Sequence, residues 1–147
     1  IMFWKQLLAK LNQKTKLFRK VSPSQENWIN AGTGIAFVAF TLVVSRTYAR
    51  VELTLHRRNK EENKRIFDRL LEDREAIEAE FGDRLIWERL DNQKQSRIKY
   101  QLDGVNVFNE QDWDAMTEFM VDATVRMEKA FKKPLNELRL ELSRGKV

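Results

Sequence analysis

The chain has 147 residues, 42% hydrophobic and 33% charged, with a net charge of +5; this is the size of one domain with a single core and the composition of a folded chain. Cysteine is absent and histidine occurs once, which excludes a disulfide framework, a thiolate zinc site and any centre built from several imidazoles, and suits a reducing cytoplasm. The apolar run Ile35 to Val44 is about half the roughly 20 residues a spanning helix needs and lies far from the N-terminus, so neither a membrane anchor nor a signal peptide is expected.

From Met2 to Leu11 the residues Phe3, Trp4, Leu7, Leu8 and Leu11 recur at helical spacing, with Lys5, Gln6 and Lys10 opposite, and a short amphipathic helix is predicted. A chain that opens on such a pattern reads as a piece of something longer. Between Lys5 and Lys20 stand six basic residues and no acid, a run that serves either to bind phosphates or as a solvated connector. Val21-Ser22-Pro23-Ser24 then breaks the chain, because proline has no amide donor and serine favours local side-chain bonds. Residues 1–25 are thus an amphipathic helix plus a basic connector within a single α+β domain over 1–147.

Trp28-Ile29-Asn30 suits a first short strand, and Gly32-Thr33-Gly34 a turn; this glycine pattern is too short, and followed by the wrong element, for a phosphate cradle. The run Ile35 to Val44 is predicted as a strand covered on both faces. Ala49 to His56 alternates, with Val51, Leu53 and Leu55 inward and Arg50, Glu52, Thr54 and His56 outward. The short link Ser45 to Tyr48 makes these two strands antiparallel. Asn59 and Glu62 form a capping box for a helix whose stripe Ile66, Phe67, Leu70, Leu71, Ile77 and Phe81 ends at Gly82. Leu85 to Leu90 and Ser96 to Leu102 are predicted strands joined by Asp91-Asn92-Gln93-Lys94, the second with Ile98, Tyr100 and Leu102 inward. After a brief extended Val105 to Phe108, a second long helix starts at Asn109, capped with Asp112. Pro134 is expected to break or kink it before a last short helix with Leu135, Leu138 and Leu142. The sum is an α+β fold: an antiparallel sheet of about five strands, two long helices on one face, and short terminal helices.

A metal-dependent nuclease needs carboxylates clustered on neighbouring strands to hold magnesium at a phosphodiester. Glu62-Asn63-Lys64 has a Glu-x-Lys spacing but falls in the first turn of a helix, where a cap explains Glu62. Glu52 and Glu88 each stand beside an arginine, Arg50 and Arg89, and an ion pair explains them. His56 ends a strand next to Arg57 and Arg58, with no partner for general-base work, and is read as an exposed histidine. No catalytic residue, metal ligand or cofactor is therefore assigned. The basic excess lies in the Lys5 to Lys20 run, in Arg46, Arg50, Arg57, Arg58, Lys60, Lys64 and Arg65, and in Lys94, Arg97 and Lys99. The candidate nucleic-acid contacts are Lys14, Lys16, Arg19, Lys20, Arg46, Arg50, Arg57, Arg58, Arg97 and Lys99. Of these, Arg50, Arg97 and Lys99 are expected to form a cationic face on the sheet opposite the helices, giving phosphate affinity without base choice. An apolar run covered on both faces also needs cover on the face away from the helices, from the N-terminal segment or from a partner domain or subunit.

Several local strings carry a resemblance: Phe3-Trp4, Trp28-Ile29, Arg50-Val51-Glu52-Leu53, the helix with Phe67 and Leu70-Leu71 running through Ile77-Glu78-Ala79-Glu80-Phe81-Gly82 to Leu85-Ile86-Trp87, then Ser96-Arg97-Ile98 and Trp113. In their order the chain resembles an uncharacterised bacterial domain often found C-terminal to restriction-endonuclease-like PD-(D/E)XK nuclease domains. The strings cover most of the chain and none is a catalytic signature. The resemblance implies a companion nuclease domain in the parent protein and a DNA-related role, with the catalytic half elsewhere. The resulting expectation is a cytoplasmic, non-catalytic accessory domain that binds DNA or docks onto a nuclease. The alternatives are a small metal-dependent nuclease and a structural or oligomerisation module without nucleic acid.

Overall fold

The computed structural model describes residues 2–147. In chain order the elements are α1 (Met2–Leu11), β1 (Trp28–Gly32), β2 (Val38–Val44), β3 (Tyr48–Leu55), α2 (Lys60–Leu71), α3 (Arg74–Phe81), β4 (Ile86–Glu88), β5 (Ser96–Asp103), a 3-10 turn at Glu110–Asp112, and α4 (Trp113–Ser143). The strands form one five-stranded sheet in the order β1-β2-β3-β5-β4, and every neighbouring pair is antiparallel. This is the predicted α+β class. The alternation in β3 and β5 sets the register: Val51 faces Tyr100 and Leu53 faces Ile98 on the helix side, while Arg50 faces Gln101 and Glu52 faces Lys99 on the other. Leu42, Val51, Leu53, Leu55 and Ile98 are fully buried beneath Met116, Met120, Met127 and Phe131 of α4 and Ile66 and Leu70 of α2, in one continuous core. Helix α1 lies against α4, where its five predicted apolar residues are all buried. Its Trp4 Nε1 donates to the Glu26 carbonyl at 2.8 Å, which ties the return of the chain into β1.

Several sequence expectations are corrected. Strand β2 starts at Val38, not Ile35, because the chain turns on both sides of Ile35 and Ala36: Gly34 has φ +92° and Phe37 φ +61°, and neither angle fits an extended strand. Of the outward residues of β2, Ala39 and Val43 are buried and Thr41 is half-buried, shielded by their cross-strand neighbours, among them Trp28 and Arg50. Strand β2 is thus covered on both faces, as the apolar run predicts. The stretch 60–81 is two helices, not one, with the break at Glu72 and Asp73. Only Ala76 is apolar between Leu71 and Ile77, so the stripe loses its phase, and Leu71 ends up exposed. At the break Arg69 Nη1 holds Asp73 at 2.9 Å while its Nε reaches Glu141 of α4 at 2.8 Å.

Pro134 does not end α4, which runs unbroken for 31 residues. A mid-helix proline costs about 3 kcal/mol. Burial of Phe131, Leu135 and Leu138 on the same side of the helix, at about 1.5–3 kcal/mol for each large apolar side chain, outweighs it. Asp112 is not half of a capping box: its Oδ2 accepts from Asn106 N–H at 2.9 Å, while Asn109 Oδ1 accepts from Gln111 N–H at 3.2 Å. Residues 105–108 form no strand, although Val105 and Val107 are buried. Within the basic connector Phe18 is fully buried and the Thr15 hydroxyl donates to Glu128 of α4, so the segment is a packed cover over the middle of α4.

Candidate nucleic-acid interface

The outward face of the sheet carries three rows of side chains across the strands: Trp28, Val43, Arg50 and Gln101; then Asn30, Thr41, Glu52, Lys99 and Ile86; then Gly32, Ala39, Thr54, Arg97 and Glu88. Sequence reasoning places Arg50, Arg97 and Lys99 here, and so does the structure. It also places a carboxylate beside each of them. Arg50 Nε lies 2.8 Å from Glu52 Oε1, and the Thr54 hydroxyl lies 2.8 Å from Glu52 Oε2. Arg97 Nε donates to Glu88 Oε1 at 2.6 Å, and Lys99 Nζ approaches the same oxygen at 3.4 Å. Burial alone would raise the Glu88 carboxyl; the bonds from Arg97 and Lys99 outweigh it and hold the group below its usual range. The expected partner of Glu88, Arg89, turns instead to Asp68 and Asp91. The face is polar and largely self-neutralised, with its two exposed apolar residues, Trp28 and Ile86, on opposite edge strands.

Arg46 and Arg57 are used in other ways. Arg46, in the β2–β3 turn, stands over the exposed Phe108 ring at 5.3 Å, at the far end of the hairpin. Arg57 is a brace: its Nε donates to Glu62 Oε1 at 2.6 Å and its Nη1 to the Ala36 carbonyl at 2.9 Å. Glu62 is thereby diverted from the expected reach back to Asn59, although Asn59 Oδ1 does accept from Glu62 N–H at 3.0 Å.

Lys14, Lys16, Arg19, Lys20, Arg46 and Arg58 are exposed and have no ion-pair partner among the described residues. The fold brings most of them to one end of the sheet. Lys16, Arg19 and Lys20 rim a depression of about 470 Å³ whose floor includes Asn30, Ala31 and Gly32 of edge strand β1. A second depression of about 460 Å³ shares Asn30 and Gly32 with the first and continues to Ile35, Phe37 and His56. Arg58 stands over the Phe37 ring at 5.8 Å, and His56 meets the same ring edge-on at 5.9 Å. His56 is half-buried against Phe37, not exposed as its sequence position suggests. Two neighbouring depressions, sharing Asn30 and Gly32, thus lie between the free cations and a displayed aromatic.

Phe37 and Lys64 are the residues that sequence reasoning missed. Phe37 sits inside what reads as a strand; its left-handed backbone costs about 1–2 kcal/mol, and the turn expected at Gly32-Thr33-Gly34 extends three residues further than those glycines signal. Lys64, counted in the basic excess, is only 6% exposed. Its ammonium donates to the carbonyls of Arg89, Leu90 and Gln95 at 2.6, 2.8 and 2.8 Å and lies 2.9 Å from Ser96 Oγ. Burial, and then the positive charges of Lys60 and Arg89, push its pKa down. The neighbouring Asn63 side chain bonds Arg57 and the Lys94 carbonyl, so the pair pins the β4–β5 hairpin to α2. The signal was available: Asn63 and Lys64 lie one turn before Ile66 and Phe67, on the same inward stripe.

The groove and the sheet define a class: a compact α+β domain with a cationic edge and no gathered group of three His, Cys, Asp or Glu among the described residues that would hold a metal. The chain belongs to the family described as a domain of unknown function, DUF4268, which it matches over residues 1–135. No curated protein matches it, and neither does any solved structure. Among the described residues no helix is long and apolar enough to cross a membrane.

Proposed function

We propose that this domain is a non-catalytic accessory module that binds DNA through its phosphates, beside a restriction-endonuclease-like nuclease domain in a bacterial, cytoplasmic parent protein. The observation that carries the reading is the convergence of Lys16, Arg19 and Lys20, all without ion-pair partners, on one groove along β1. Unpaired cations release counterions from a phosphate backbone without first breaking a contact of their own. The carboxylates nearest a nuclease arrangement, Glu52, Glu62 and Glu88, are each committed to an arginine or lysine, which supports a module without chemistry of its own. The companion nuclease, the bacterial source and the cytoplasmic setting rest on the resemblance and on the absence of cysteine.

The test is retention of a labelled duplex bearing a single-stranded tail, measured against salt. Affinity should fall log-linearly with salt, and replacing Lys16, Arg19 and Lys20 together with alanine should lower the slope by about 2–3, as expected for three lost phosphate contacts. Retention that ignores salt, or a slope unchanged in the triple variant, sinks the proposal. A second reading, docking of the companion domain, is favoured by Trp28 and Ile86, 45% and 48% exposed on the outward sheet face among charges already paired. Replacing both with glutamate should abolish association with that domain in trans while leaving DNA affinity unchanged.

A further inference from the structure

Phosphate contacts alone treat paired and unpaired strands alike, because both present the same backbone. Phe37 does not. It is 48% exposed although the chain around it is fixed from several sides. Its own carbonyl accepts from His56 N–H at 3.0 Å, the preceding carbonyl of Ala36 is held by Arg57, and Val38 N–H closes a turn onto the Ile35 carbonyl at 3.1 Å. The Thr33 hydroxyl donates to the Val38 carbonyl at 2.7 Å and completes the clamp. The ring is therefore presented to solvent on a rigid, left-handed turn in the depression next to the cationic groove. The guanidinium of Arg58 stands over it, and His56 steadies its edge.

We propose that this end of the domain takes single-stranded DNA, one unpaired base stacking on Phe37 while the adjoining phosphates lie against Lys16, Arg19, Lys20 and Arg58. This rests on the phosphate-binding reading and adds to it the strand state. Stacking on an aromatic ring is available to any base whose face is open, and in a duplex those faces are covered by neighbouring pairs. The depression beside Phe37, about 460 Å³, falls within the roughly 300–1,000 Å³ range of ligand sites. Phe108 is the internal contrast. It is more exposed and also carries an arginine, Arg46, yet it lies at the opposite end of the β2–β3 hairpin from Lys16, Arg19, Lys20 and Arg58.

The experiment compares a fluorescent oligothymidylate with a blunt duplex of the same length, by anisotropy at low and moderate salt, on the full chain. Phe37→Gly is the informative variant, because glycine accepts a positive φ and the ring is removed without threatening the fold. It should weaken oligothymidylate binding roughly ten-fold and leave the blunt duplex unchanged. Phe37→Trp should retain single-strand affinity, and Phe108→Ala should alter neither. Salt-dependent binding of both forms that Phe37→Gly leaves intact overturns the stacking proposal while the phosphate reading survives. Absence of salt-dependent binding to either form overturns both.

Discussion

The two edges of the sheet use the same residue types in opposite ways. Around β4 and β5 the cations of the sheet have fixed partners, with only Lys94 of the connecting turn left over: Arg97 and Lys99 share Glu88, Arg89 takes Asp68 and Asp91, and Lys64 is enclosed by three carbonyls. Along β1 the cations Lys16, Arg19 and Lys20 stand in solvent around an open groove. In sequence both regions are simply basic. The difference is whether the fold has already supplied the counter-charge, and only cations it has left unpaired are free to meet an outside anion without a competing cost.

The largest loss of stability is expected at Lys64. Lys64→Met keeps the aliphatic stem but leaves the Gln95 carbonyl without a donor and takes one of two donors from the Arg89 and Leu90 carbonyls, and a loss of about 2 kcal/mol of stability is expected in urea unfolding. A variant within about 0.5 kcal/mol of the parent would show that the cage is not a structural element. A smaller effect is expected at Glu88→Gln, which releases Arg97 and Lys99 from their shared partner. Since all three side chains are partly exposed, the cost should stay near 1 kcal/mol or below. If missing counter-charge is what makes a cation available, the same change should raise DNA retention at low salt by giving the outward face two free cations.

Acid titration sharpens the same contrast. Glu88 and Glu78 both have folded-state pKa values below the usual 4.5. For Glu78 burial opposes the shift, and bonds from Leu85 N–H, Trp87 Nε1 and the nearby Arg74 outweigh it. Because the unfolded chain protonates first as pH falls, their contribution is fully present above 4.5 and is lost as pH drops through the folded values. Thermal midpoints should be flat from neutrality down to that point and then fall, less steeply in Glu88→Gln. The smallest effect on stability belongs to the β1 edge: replacing Lys16, Arg19 and Lys20 should shift it by no more than about 0.5 kcal/mol, so any lost DNA retention there reports contact and not unfolding.

The fold was largely legible because its strongest signals are periodic. The alternation in β3 and β5 and the stripe of α1 each gave the correct inward set, and the short Ser45 to Tyr48 link gave the antiparallel pairing. What escaped reading depends on partners distant in the chain. Pro134 is tolerated because Leu135 and Leu138 reach the core; the break at Asp73 reflects a lost stripe phase and the pull of Glu141 on Arg69. The site was half legible. All ten candidate cations could be listed, but the division of that list into paired and unpaired members is made by Glu52, Glu62 and Glu88, and the identity of a carboxylate's partner is a tertiary fact. Phe37 was hidden inside an apolar run that looks like continuous strand until Gly34 and the left-handed turn interrupt it.

The enclosed ammonium of Lys64 has a further consequence for covalent chemistry. Its nitrogen is engaged on every side by carbonyl and hydroxyl oxygens, so an amine-reactive acylating reagent reaches it only when the β4–β5 hairpin lifts from α2. Labelling at Lys14 or Lys20 would follow reagent concentration alone, whereas labelling at Lys64 would keep time with the opening of that hairpin, making the residue a built-in clock of local breathing at the edge of the sheet farthest from the groove.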